Sequence, residues 1–173
     1  MTTTLTNVTI PQFVNILGNL HHLIAKGISD AKARNYESKV LFDFRLAPDM
    51  LPLKVQVLIA CDAAKFCVSR ISGLEAPKFD DKEASLEELA ERIQKTVDWI
   101  KTVPSIALDG LEEKDITFPV GKDATKTMKA LDYLNTWAIP NVYFHVTTTY
   151  NILRHNGVQL GKRDYLLGAA NVG

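Results

Sequence analysis

Two ionisable side chains, Asp62 and His145, fall on segments that otherwise read as apolar helix faces. A carboxylate and an imidazole are together sufficient for general acid/base chemistry. With Leu51 at zero on a wheel of about 100° per residue, Val55, Leu58, Ile59 and Phe66 form one stripe. Asp62 falls about 20° from Leu51, in the middle of that stripe. An ionised carboxylate is costly there unless it is paired or hydrogen-bonded. Lys65 flanks the stripe three residues on and is spaced to pair with it. Asp62 therefore reads in one of two ways. It lines a pocket as base, ligand anchor or metal ligand, or it is a structural carboxylate tied to the last long helix.

His145 sits on the shoulder of a later apolar face, which it shares with Thr149 and Ile152. It reads as a core-facing acid/base or metal ligand, or as a partly buried histidine bonded to a neighbour. Tyr143, Tyr150 and Trp137 cluster near the start of the same helix, as core or as the wall of an apolar pocket. The expected site is thus Asp62 and His145 as base and acid. Lys65, Tyr143, Thr149 and Tyr150 surround a small-molecule ligand.

Other candidates read as structural. His155 lies about 15 Å along and about 80° around a helix from His145, so the two do not share a metal. Its place in a last helical turn suits a cation. His21 flanks the apolar stripe of the first helix and His22 faces away, and an isolated pair is a weak metal signal. Cys61 and Cys67 point about 120° apart on a helix, which argues against a disulfide. Lys162 and Arg163 form a solvated basic pair or clamp an anion. The chain has no GxSxG, P-loop, GxGxxG or CxxC motif, so neither a cofactor nor a metal is expected.

Four amphipathic helices carry these residues. Residues 1–9 are polar and Thr-rich and read as a tail, with Thr9 as N-cap and Pro11 in the first turn of helix one. A second helix starts near Asp49 between Pro48 and Pro52 and ends at Gly73. The third opens with the capping box Ser85 to Glu88, and Pro104 stops it. Residues 104–138 break the pattern. Ile116–Val120 and Thr125–Leu131 are expected to pair as a short hairpin about the turn Gly121-Lys122-Asp123. The fourth helix opens at Pro140 and ends at Asn156-Gly157. The fold expected is a single all-α domain over residues 1–173, a four-helix bundle with a long third connection.

The chain has 173 residues, 20 basic and 20 acidic, for a formal net charge of zero. No overall positive field gathers nucleic acid, and no apolar run reaches the roughly 18 residues of a membrane helix. The Met1-Thr2-Thr3-Thr4 start lacks the features of an export signal, which leaves the acceptor triplet Asn7-Val8-Thr9 without meaning. A reducing, cytoplasmic compartment is expected.

The segments Ile139–Tyr150 and Ile152–Val158 precede Gly161-Lys162-Arg163-Asp164-Tyr165-Leu166. With Arg45-Leu46-Ala47-Pro48-Asp49-Met50 and the Pro77-Lys78-Phe79 turn, they resemble the uncharacterised family called domain of unknown function 1993. That family is similar to the DinB/YfiT-like helical bundles. The resemblance, spanning Pro11 to Leu166, implies that fold and a homodimer. Many such relatives bind a metal through one histidine on helix two and an H-x-x-x-H pair on helix four. Here Thr149 stands four residues after His145, and helix two has no histidine. A metal-independent isomerase, cyclase or lyase is therefore the first expectation, and a non-catalytic dimer or binding protein the second. The third is a metal-dependent hydrolase or thiol transferase, with His21 or Asp49 completing a site.

Overall fold

The structure is a computed structural model that describes residues 4–171. Four long helices form a bundle. Helix α1 spans Leu5–Ala33, α3 spans Leu53–Ser72, α4 spans Leu86–Thr102 and α6 spans Ile139–His155. Around the bundle α1 packs on α4, α4 on α3, α3 on α6, and α6 on α1. A short helix α2, Lys39–Phe42, lies in the first connection. No helix among the described residues is long and apolar enough to cross a membrane.

The expected tail is helix from Leu5 onward, while residues 1–3 lie outside the described residues. Thr4 is the N-cap, its hydroxyl accepting from the Asn7 amide at 3.3 Å, and Pro11 falls inside the helix. The polar threonines are buried because the loop after α4 satisfies Thr6 and the helix itself satisfies Thr9. The Leu108 amide donates to Thr6 Oγ1 at 3.0 Å, and the Thr6 amide donates to Asp109 Oδ1 at 3.0 Å. Thr9 donates to the Leu5 carbonyl. Composition alone hides such burial, since a hydrogen-bonded hydroxyl costs little inside.

Helix α3 begins at Leu53 behind Pro52, so Asp49 lies in the preceding turn. Its buried face is Leu53, Val57, Ala60, Cys61, Ala64, Val68 and Ile71. That face is roughly opposite the stripe expected from Leu51 and Phe66, which are 46% and 37% exposed. The small side chains Ala60, Cys61 and Ala64 mark the seam against the neighbouring helices. The larger apolar residues line its flank. Both cysteines are free and buried, and burial pushes the Cys61 thiol up to about 12.

Helix α4 starts as expected: Ser85 accepts from the Glu88 amide, and Glu88 accepts from the Ala84 amide at 2.7 Å. The expected hairpin is present. Strand β1, Asp115–Pro119, pairs antiparallel with β2, Thr125–Lys129, with Thr117 opposite Thr127. In β1 Ile116 and Phe118 turn inward, which is the period-2 burial of a one-sided hairpin.

The fourth helix begins well before Pro140. Helix α5, Ala130–Tyr133, runs through a π-helical turn, Leu134–Ala138, into α6. The Ile139 amide bonds to the Leu134 carbonyl, five residues back. Pro140 has no N–H to return to the preceding turn, and the widened turn sits where that bond is missing. Gly157, with φ of 92°, ends α6 as expected.

Helix α7, Lys162–Leu167, was not expected from the sequence. Asp164 fastens it. One carboxylate oxygen accepts from the Gly161 amide at 2.7 Å; the other meets Lys26 and His22, each at 3.1 Å. Asn19 donates to the Tyr165 and Leu166 carbonyls. Gly168, at φ of 54°, is where the backbone passes so close to Asn19 that no Cβ fits.

Candidate functional site

Asp62 does not face the centre of the bundle. Its side chain is 31% exposed on the flank of α3, where Oδ1 accepts from two buried cations. Lys65 Nζ lies at 2.9 Å and Arg92 of α4 at 3.0 Å. Lys65 also donates to the Pro77 carbonyl at 3.2 Å. Arg92 further meets Asp81 at 2.9 Å and Glu83 at 3.0 Å. Burial alone would lower the Arg92 pKa, but the Asp81 and Asp62 carboxylates outweigh it and hold it raised. Phe79 is caught between these cations, its ring centroid 4.1 Å from the Arg92 guanidinium carbon and 4.6 Å from Lys65 Nζ. The loop from Gly73 to Ala84 is thereby tied across α3 and α4.

On its other side Asp62 lines a cleft of about 180 Å³ between α3, the hairpin and the π-helical turn. Helix α3 supplies Asp62, Phe66 and Arg70 at i, i+4 and i+8, one edge of the helix. The hairpin supplies Phe118, whose ring stacks at 4.7 Å on Tyr133 and 5.0 Å on Trp137. Tyr133 lies just before the π-helical turn and Trp137 within it. Asn141 closes the cleft from the first turn of α6. The Tyr133 hydroxyl accepts from Arg70 at 2.8 Å. Burial raises the Tyr133 pKa, so the phenol stays protonated. A second cleft of about 240 Å³ lies beside Arg92. Its one buried cation already holds Asp62, Asp81 and Glu83.

His145 lies elsewhere. It is buried, and its Nδ1 is 2.6 Å from Gln56 Oε1. The Gln56 amide nitrogen donates to the Leu51 carbonyl, so Oε1 faces the ring and Nδ1 carries the proton. Desolvation pushes the His145 pKa down to about 4, and the ring is neutral near pH 7. Thr149 donates to the His145 carbonyl at 2.9 Å. Since α3 and α6 run antiparallel, Gln56 faces His145 while Asp62 is about 9 Å further along α3, near Asn141. Asp62 and His145 therefore do not form one acid/base pair; each is bonded to other partners.

Of the remaining expected residues, Lys65 does pair with Asp62. Tyr143 is half-buried beside Tyr165, and burial followed by that neighbour raises its pKa. Tyr150 stacks edge-on against Tyr165 and, with Lys162 and Thr147, lines a separate shallow cleft. His21 is half-buried on α1, and Asp49 is exposed. Among the described residues no three of His, Cys, Asp or Glu are grouped to hold a metal. Among the described residues the hydrogen-bond partner of the His145 imidazole is the neutral Gln56 amide, and the Phe144 ring stands edge-on at 5.2 Å. This donor set does not fit zinc or nickel.

Sequence reasoning missed Arg70, Tyr133 and Asn141 as site residues, Arg92 as the partner of Asp62, and Gln56 as the partner of His145. One signal was available, the i, i+4, i+8 row of Asp62, Phe66 and Arg70.

The family described as Domain of unknown function (DUF1993) matches residues 5–166. No curated protein matches the chain. Among solved structures, a DinB family member protein from Shewanella denitrificans is 38% identical, with a TM-score of 0.84. The match covers 94% of this chain and 91% of that one.

Proposed function

Because the chain belongs to the DUF1993 family and shares its bundle with a DinB family member, we propose that it is a small-molecule-binding protein. The ligand sits in the cleft between α3, the hairpin and the π-helical turn. The observation that carries this reading is the convergence there of unlike groups on an aromatic wall. A carboxylate, a guanidinium, a phenol and a carboxamide meet the rings of Phe66, Phe118 and Trp137. Apolar walls with a few placed polar groups are the usual composition of a ligand site. The π-helical turn supports the reading, since such turns are frequent at functional sites. At about 180 Å³ the cleft is smaller than the roughly 300–1,000 Å³ of drug-sized sites, so the ligand is a single-ring molecule or smaller.

Binding fits these groups better than catalysis. Asp62 Oδ1 is already held by two cations, and the neutral His145 lies outside the cleft. The chain has two tryptophans, Trp99 and Trp137, and only the latter lines the cleft. Benzoate, benzamide and benzylamine are titrated while both indole N–H resonances are followed by NMR. At least one probe is expected to move Trp137 and leave Trp99 in place. Silence of Trp137 toward all three overturns the reading.

A further inference from the structure

Resting on that cleft as the ligand site, we propose that its ligand is a small aromatic carboxylate whose acid group is held by Arg70. The buried cations around α3 and α4 are otherwise committed. Lys65 has Asp62, and Arg92 has Asp62, Asp81 and Glu83. Arg70 differs: among the described residues no carboxylate lies within ion-pair distance of it. Its one hydrogen-bond partner is the neutral Tyr133 hydroxyl, and its guanidinium carbon lies 5.2 Å from the Phe66 ring centroid. A guanidinium carries five N–H donors, so most of its capacity is unspent.

The surroundings set the sign of the ligand. Arg70 is half-buried, and Lys114 lies beside it, with Nζ donating to the Arg70 and Ile71 carbonyls at 2.9 and 2.7 Å. That lysine satisfies the free carbonyls at the end of α3, which would otherwise repel an anion. A carboxylate at Arg70 would gain the planar, two-bond geometry that guanidinium offers. Phe66 and Trp137, the more exposed rings of the cleft, offer apolar surface to a ligand ring, while Phe118 is buried against Trp137. At the far end Asp62 limits the ligand to one acid group, since a second would meet a carboxylate. Its Oδ2, which has no partner among the described residues, accepts a hydroxyl or amide N–H instead.

The three probes differ in charge at nearly constant shape. Benzoate is expected to bind at least tenfold more tightly than benzamide or benzylamine, as read from the Trp137 indole shift. In Arg70→Gln, which can still donate to Tyr133, benzoate affinity is expected to fall at least tenfold while benzamide changes less than twofold. Arg70→Lys keeps the charge but not the two-bond geometry, so its benzoate affinity is expected to fall between those of the parent and Arg70→Gln, while an unchanged benzamide response reports that each variant is folded. Equal affinity for benzoate and benzamide, preference for benzylamine, or indifference to Arg70→Gln each overturns the carboxylate assignment. Those results leave the cleft standing as a ligand site, whereas silence from all three probes removes both.

Discussion

Asp62 serves two buried cations through one oxygen, and the consequences of removing its charge differ for each. Arg92 retains Asp81 and Glu83. Lys65 retains only a carbonyl and the faces of Phe66 and Phe79, so it is the residue left uncompensated. A buried charge without its counterion is strongly destabilising. Asp62→Asn is expected to cost about 1–3 kcal/mol, less than the roughly 3–5 kcal/mol of a fully buried broken pair because Asp62 is partly exposed. On a Lys65→Met background the same change should cost clearly less. Denaturant unfolding of the four proteins in a double-mutant cycle measures the coupling. A coupling below about 0.5 kcal/mol would show that the pair is not stabilising. At this scale the sequence showed that Asp62 needs a partner and that Lys65 is spaced to be one. It did not show Arg92, because no local spacing joins two helices.

The elements divide by how local their causes are. The third long helix was readable because Ser85 and Glu88 cap it within one turn. The hairpin was readable because its turn and alternation lie within the segment. The face of α3 was not: apolar side chains recur on both sides of it, and the stripe through Leu51 and Phe66 is as regular as the buried one through Leu53, Val57, Val68 and Ile71. The π-helical turn was not readable either, because a proline that opens a helix and one that follows a widened turn within a longer helix look alike in sequence. The hairpin's contribution to the cleft rests on Phe118, which is 2% exposed and stacked on both Tyr133 and Trp137. Phe118→Ala is expected to cost about 3–5 kcal/mol, the range for a buried ring. Because the hairpin is held to the bundle mainly by that inward face, its amides should exchange faster than those of α3 and α4. Hydrogen exchange mass spectrometry would show this. Uniform loss of protection across all helices would instead mean that the hairpin is part of one cooperative core.

The whole molecule combines a bundle closed by apolar packing with several polar fastenings, and acid should undo two of these in sequence. His145 fixes α6 to α3 through Gln56, and Asp164 fixes α7 to α1 through His22 and Lys26. Burial holds the His145 pKa down to about 4, so between about pH 6.5 and 4 the unfolded chain binds a proton that the folded protein refuses. Stability therefore falls as pH drops through that window, by on the order of 2–3 kcal/mol at its lower end. Asp164 acts in the same sense at lower pH. Burial would raise its pKa, but the Gly161 amide, His22 and Lys26 outweigh that and hold it well below the ordinary 3.8. Its stabilisation is complete above the ordinary value and is lost only as pH falls further. The two fastenings tie different helix pairs, so their effects should add. Melting temperature measured from pH 7.5 to 2.5 should decline in two stages. His145→Asn, which cannot titrate, should flatten the stage between about pH 6.5 and 4 and leave the acid stage intact. Asp164→Asn should lower stability at neutral pH by about 1–3 kcal/mol and flatten only the acid stage. If His145→Asn leaves the upper stage unchanged, the imidazole is protonated in the folded protein. The bonded pair between the first turn of α3 and the middle of α6 would then be a charged one.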